Sequence, residues 1–299
     1  MRGLNLEQLR SFVAVVRSGG VVKASRVLNV SQPAVTARIK NLEQTLGTSL
    51  FDRSTTGLRL TKRGELLLNH ANRIEALADQ IERDIVDPNG VDGHLRIGAS
   101  ETIAQSWLPD FVGRLHAQFP KVQIEFNVEV SVNLRDALLA REIDLAFLLG
   151  PVSEHSIENL SLPSFALGWF VSFAVHEDLS GAKRLFDKPV ITYARRTRPF
   201  RELRDSVRER VGPDVPMFPS SSLSAALRLV ESGLGVSAVP LFLARPSVDV
   251  GNIRPFDPGW TPKPLTFTAS YVADPASHLV STAADAAVEV ANRWAHRNN

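Results

Sequence analysis

Apolar residues in the first part of this chain return every three or four positions, the period of helices with one buried face. Leu6, Leu9, Phe12, Val13 and Val16 predict a helix over Asn5 to Ser18. Gly20, Val21, Val22, Ala24, Val27 and Leu28 predict a second, buried on one face and broken at Asn29-Val30. A third opens at Ser31, a good N-cap, tolerates Pro33 in its first turn, carries Val35, Ile39, Leu42 and Leu46, and stops at Gly47. Leu50 to Arg53 and Leu58 to Thr61 flank the polar, Gly-containing Ser54 to Gly57 and read as a hairpin. Thr61 caps a long helix to about Val86, on which Leu67, Ala71, Ile74, Ala78, Ile81 and Ile85 alternate separations of four and three residues. That alternation is the seam of a left-handed coiled coil, so the helix is expected to dimerise; the alternative is a helix lying on its own chain.

Asp87 to Gly93 is a hinge of Pro, Gly, Asn and Asp. Beyond it the pattern alternates between strand and helix periods. Leu95 to Ala99 is a strand, and Ser100 caps a helix bearing Trp107, Leu108, Phe111, Leu115 and Phe119. Val122, Ile124, Phe126, Val128 and Val130 alternate with polar residues as a half-buried strand, Leu134 to Leu138 is helical, and Leu145 to Leu149 is an apolar strand. A second unit begins near Phe165: strands at Trp169 to Val175, Val190 to Tyr193, Val215 to Phe218 and Val236 to Val239, with helices at Phe200 to Val211 and Ser222 to Ser232. Leu265 to Val272 returns as a strand before a closing helix with Leu279, Val280, Ala283, Ala287, Val290 and Trp294. The succession predicts an α/β region with a largely parallel sheet.

On the third helix, at about 100° per residue, Pro33, Thr36, Ala37, Lys40 and Gln44 point away from the core, with Gln32 and Arg38 on the flanks. Such side chains suit a helix in a DNA major groove, where Gln pairs with adenine and Arg or Lys with guanine. A solvated face on an ordinary helical hairpin is the alternative. Charge favours DNA. Through Gly64 eleven Lys and Arg stand against three Asp and Glu, a net +8, leaving −6 for the remainder. Charge concentrated in one module is what phosphate neutralisation requires. Gln32, Pro33, Thr36, Arg38 and Lys40 are therefore expected in the groove, with Ser31 and Arg53 on phosphate or at the hairpin.

The blocks Val30-Ser31-Gln32-Pro33-Ala34-Val35-Thr36, Ile39 with Leu42-Glu43, Leu46-Gly47, Leu50-Phe51-Asp52-Arg53 and Leu60-Thr61 with Gly64, in that order, resemble the amino-terminal signature of LysR-type transcriptional regulators. The resemblance implies an all-α winged helix-turn-helix at residues 1–61, a linker and dimerisation helix with hinge at 62–90, and an effector domain at 91–299. The last would be a two-subdomain α/β unit like a periplasmic binding protein, with subdomain I at 91–163 and 268–299 and subdomain II at 164–267. It further implies a bacterial, cytoplasmic homotetramer built as a dimer of dimers on a pseudo-palindromic operator. A small-molecule effector would close the cleft and alter DNA bending, and RNA polymerase would be a further partner. Ala37 stands where the family often has a longer polar residue.

Ser100-Glu101-Thr102 follows a strand, and Ser220-Ser221-Ser222 precedes a helix of the other subdomain. Free N–H groups at helix starts attract anions, so Ser100, Thr102, Ser221 and Ser222 would receive a small polar or anionic metabolite such as a carboxylate, or serve as plain caps. Glu101 departs from a simple anion receptor and points to an amine, an NH-rich ring or a hydroxyl on the effector. The resemblance adds Ser131 and the strand end with Phe147, Leu149 and Pro151 to the cleft. Arg195, Arg196 and Arg198 could clamp an anion or be a solvated run.

The chain has no cysteine, which removes disulfides, thiolate metal sites and Cys nucleophiles and fits a reducing cytoplasm. None of the seven histidines pairs with another at i+3 or i+4, and no Gly-x-Ser-x-Gly elbow is present. Gly233 and Gly235 make no dinucleotide fingerprint. No secretory signal or membrane span is expected, since the longest uncharged stretch, Asn159 to Val175, contains Pro163 and Gly168 and is shorter than about 20 residues. Neither catalysis, a metal nor a cofactor is expected. The rival function is a non-specific architectural DNA-binding protein without an effector.

Overall fold

A computed structural model describes residues 3–52, 58–86, 93–175, 184–273 and 277–298. Two compact units divide the chain, residues 1–90 with 140–142 and residues 91–139 with 143–299.

The first unit opens with α1 (Leu6–Ser18), whose N-cap Asn5 accepts a hydrogen bond from the Glu7 amide at 2.8 Å. Gly19, at φ 71°, ends it in the left-handed conformation that glycine adopts without a Cβ clash. α2 (Val21–Val27) and α3 (Gln32–Leu46) follow, and the Ser31 hydroxyl of the α3 cap accepts from the Ala34 amide. β1 (Phe51–Asp52) and β2 (Arg59–Leu60) pair antiparallel as a hairpin whose tip lies outside the described residues. α4 (Lys62–Val86) starts at Thr61, whose Oγ1 accepts from the Gly64 amide at 3.0 Å. Leu9, Phe12, Val13, Val35, Ile39, Leu42 and Leu50 form the core.

Two expectations change here. Val22 and Val27 are exposed, because the inward face of α2 runs through Val21, Ala24, Ser25 and Leu28, the i, i+3, i+4, i+7 set. The seam of α4 is also divided. Ala71 is 1% exposed and sits with Leu67 in the unit's own core, whereas Ile74 and Ile81 are 38% and 56% exposed and Ala78 is half-buried. Leu66 and Leu77, outside the expected seam, are exposed as well. The side chain of Ile85 and the hinge at 87–92 lie outside the described residues.

The second unit holds two five-stranded sheets. In the first, β3 (His94–Ala99) lies between β4 (Gln123–Val128) and β5 (Leu145–Leu148), with β12 (Thr268–Val272) and β6 (Ile157–Ser161) beyond, in the order β4-β3-β5-β12-β6. The second, in the order β11-β7-β10-β8-β9, comprises β7 (Leu167–Ser172), β8 (Val190–Thr192), β9 (Met217–Pro219), β10 (Val236–Pro240) and β11 (Ile253–Phe256). Each sheet has two parallel and two antiparallel pairings, so neither is largely parallel as expected. The antiparallel half arises where the chain passes between sheets: β12 returns between β5 and β6, and β7 enters between β11 and β10. The two crossing segments bind each other through reciprocal Phe165 and Leu265 amide-to-carbonyl bonds at 3.0 and 2.9 Å.

The helix expected after Ser100 is two, α5 (Glu101–Ala104) and α6 (Leu108–Gln118), with Pro109 in the first turn of α6. Buried Trp107 at the break packs edge-on against Phe147 and Phe111. α7 (Ser131–Leu139), α8 (Arg198–Arg210), α9 (Leu223–Glu231), α10 (Leu241–Asp249) and α11 (His278–Asn298) complete the unit. Strand β4 is not half-buried: as the edge strand it leaves Phe126 and Val128 39% and 50% exposed. The elements β6, α10 and β11 had no sequence signal, the last two being interrupted by Pro246 and Pro255. No helix among the described residues is long and apolar enough to cross a membrane.

Candidate recognition helix and ligand cleft

Helix α3 is held by three buried side chains, Val35, Ile39 and Leu42, and turns Gln32, Pro33, Thr36, Ala37, Lys40 and Gln44 outward. Gln32, Thr36 and Lys40 stand one turn apart on a common strip, with Thr36 Oγ1 donating back to the Gln32 carbonyl at 3.0 Å. Arg38 departs from the expected set. Its guanidinium turns back to α1, pairing with Glu7 at 3.1 Å and donating to Ser11 Oγ at 3.3 Å, because its position flanks the buried face. Ser31 is exposed and occupied as the cap, and Arg53 lies outside the described residues. Exposed Lys23 and Arg26 of α2 add two cations that sequence reasoning did not single out, since α2 was read for its apolar face alone.

In the second unit a cavity of about 390 Å³ opens between the two sheets at the carboxyl ends of β3, β5 and β8. This is the size of small-molecule sites, and strand carboxyl ends are where α/β folds bind ligands. Seven of the expected residues line it: Ser100, Glu101, Thr102, Ser131, Leu149, Ser221 and Ser222. Two do not. Phe147 is fully buried, edge-on to Trp107 and Phe111 in the core beneath the cavity wall, and its carbonyl accepts from the Ser100 amide at 2.9 Å. Pro151 is exposed beyond the strand end. Tyr193, Thr197, Pro199, Ser220, Leu265 and Phe267 are among the other residues of the wall, with Glu129 and Leu223. They come from strand ends and a crossing segment whose direction toward the cavity depends on how the sheets face each other, and no local pattern announces that.

The polar groups of the wall differ in what they have left to offer. Ser131 Oγ accepts from the Leu149 amide at 3.0 Å, and Thr197 Oγ1 donates to the Ala194 carbonyl at 2.7 Å. Tyr193 is buried with its hydroxyl donating to the Ala238 carbonyl at 3.1 Å, and burial raises its phenol well above the ordinary range. Ser100 Oγ is buried and has no hydrogen-bond partner among the described residues. Glu101 spans the cavity. Its carboxylate accepts from the Leu223 amide at 2.5 Å, the Ser224 amide at 3.1 Å, the Ser224 hydroxyl at 2.7 Å and the Ser222 hydroxyl at 3.2 Å. Gln105 Nε2 steadies the same carboxylate at 2.8 Å and bonds to Ser224 Oγ. The start of α9 is thus occupied by a residue of the opposite subdomain.

Arg195 and Arg196, between β8 and α8, and Arg198, the first residue of α8, do not line the cavity. Arg198 bonds to the Gly150 carbonyl and Thr266 Oγ1, Arg195 lies over the Phe200 ring, and Arg196 is exposed. Among the described residues no three His, Cys, Asp or Glu side chains form a group that could hold a metal ion.

Comparison with known proteins agrees with this division. A family model described as a bacterial regulatory helix-turn-helix protein of the lysR family matches residues 6–65, and one described as the LysR substrate binding domain matches residues 88–295. The HTH-type transcriptional regulator YofA of Bacillus velezensis is 31% identical over 79% of this chain and 81% of its own. A full-length OxyR variant from Pseudomonas aeruginosa superimposes with a TM-score of 0.70, at 25% identity, over 98% of both chains. CbnR in complex with its target DNA superimposes with a TM-score of 0.65, at 22% identity, over 97% of this chain and all of that one.

Proposed function

We infer that this chain, which belongs to the LysR family of transcriptional regulators, is a DNA-binding regulator that reads a particular duplex sequence through α3 and answers to a small molecule held between its two sheets. It is a regulator and not an enzyme. The observation that carries the DNA half is the division of α3 into a buried strip of Val35, Ile39 and Leu42 and an outward strip of Gln32, Thr36 and Lys40. An amide, a hydroxyl and an ammonium on one exposed strip match the donors and acceptors of base edges in the major groove. The effector half is supported by the cavity and by Ser100 on its wall, whose hydroxyl has no hydrogen-bond partner among the described residues.

The exposed Ile74, Leu77 and Ile81 of α4 recur at separations of three and four and support pairing of two chains through this helix. A pair sets two recognition helices at a fixed separation, and a pseudo-palindromic operator follows. A dimer of dimers, and contact with RNA polymerase once bound, extend the same reading from the family.

Selection of preferred sites from random duplexes, followed by titration of the best site with and without candidate metabolites, tests both halves. A regulator of this kind prefers its site over unrelated duplex by several kcal/mol, and its effector changes that affinity. Equal affinity for all duplexes, varying with salt alone, would establish the architectural alternative.

A further inference from the structure

The cleft contains an anion of its own. The start of α9 offers the amides of Leu223 and Ser224 with the hydroxyls of Ser222 and Ser224, the donor set that would receive a ligand carboxylate. Glu101 fills it from the other side of the cavity. Five donors bond to the Glu101 carboxylate, counting Gln105: four meet Oε1 and the Leu223 amide meets Oε2. The rest of the wall points the same way. Among the described residues no Lys, Arg or His lines the cavity, whereas Glu129 does, its Oε2 accepting from Asn133 Nδ2 at 2.9 Å and from the Val130 amide at 3.3 Å. The Ser100 hydroxyl, on a residue more than nine-tenths buried, has no hydrogen-bond partner among the described residues, and it can donate or accept.

We propose that Glu101 acts as the resident anion of the cleft: it occupies the cradle at α9, ties the two subdomains together, and confines the cavity to uncharged or cationic molecules bearing hydroxyl or amino groups. This rests on the effector reading above and specifies its chemistry. An incoming carboxylate or phosphate would find the helix start already neutralised and would lie between two carboxylates without a counter-charge. A hydroxyl or amine instead meets acceptors at Glu129 and at Ser100. The tie has a mechanical consequence. Because Glu101 belongs to the first sheet's side and Ser222 to Ser224 to the second's, the subdomains are bridged across the cleft before any effector enters, and an effector acts on a cleft already latched.

The test is chemical rescue in the full-length protein. Glu101→Ala empties the cradle and is expected to lower Tm. Sodium acetate, compared with sodium chloride at equal ionic strength, should then raise the variant's Tm saturably, by about 3–6 °C at ten times its Kd. The wild-type protein should show no saturable response to acetate over chloride. Absence of an acetate response in Glu101→Ala, or an equal response in the wild type, overturns the proposal. If Glu101→Ala does not fold in chloride, refolding yield becomes the readout: recovery in acetate supports the cradle and failure in both salts overturns it. The two readings separate cleanly. If no compound of any class stabilises the wild type, the effector reading falls while acetate rescue still supports the cradle. If a carboxylate saturably stabilises the wild type, the effector reading stands and this inference is overturned.

Discussion

Arg38 of the recognition helix pairs with Glu7 of α1 at 3.1 Å, and this contact separates holding that helix from reading with it. The guanidinium, 30% exposed and also bonded to Ser11, pins α3 against α1 and leaves the outward strip to Gln32, Thr36 and Lys40. Arg38→Ala is therefore expected to destabilise the protein by about 1 kcal/mol, the scale of a partly exposed ion pair with a hydrogen bond, without reordering the preference among sites. Gln32→Ala should do the reverse, leaving Tm nearly unchanged and reducing discrimination at one base pair by about 1–3 kcal/mol. Competition titrations with single-base variants of the selected site, alongside thermal melts, distinguish the two.

Arg53 lies outside the described residues, and its expected role at phosphate or at the hairpin rests on sequence. Arg53→Ala should weaken every duplex alike and reduce the slope of log K against log salt by about 0.9, the share of one phosphate contact. A loss confined to one base position would instead assign it to readout.

Ala71 and Ile81 were expected in one seam, yet Ala71 is buried in its own unit and Ile81 is open. Ile81→Ser should weaken self-association, with about 1.5–3 kcal/mol lost for each apolar side chain no longer buried. Ala71→Ser should lower Tm and leave the association constant alone. Sedimentation equilibrium and melting curves on both variants check the assignment.

The buried hydroxyl of Tyr193, donating to the Ala238 carbonyl, gives a pH dependence with a definite sign. Burial raises its folded pKa above the ordinary 10.0, so its contribution is present in full below pH 10 and is lost as pH climbs beyond that. Tyr193→Phe is expected to cost about 1 kcal/mol at neutral pH, and the gap from wild type should narrow above pH 10. A gap that stays constant in urea titrations from pH 8 to 11 would contradict this assignment.

Local patterns were enough for the helices of the first unit, the long α4 and most strands, because caps and periodicity act over a few residues. Asn5, Ser31 and Gly47 end their helices where their side-chain oxygens or positive φ allow it. Seven of the nine residues expected in the cleft line it, since serines and threonines at helix starts after strands fall at the carboxyl ends of an α/β sheet.

Tertiary packing decided the rest. Periodicity identifies an apolar side without saying what will cover it, so Phe126 and Val128 could be expected inside although β4 is an edge strand. Strand direction depends on where the chain crosses between sheets, which left the antiparallel half of each sheet unread. Above all, no spacing connects Glu101 to Leu223. Their contact exists because two subdomains face each other across a cavity, and Coulomb attraction between a carboxylate and free amides acts through space, indifferent to the residues that separate them along the chain.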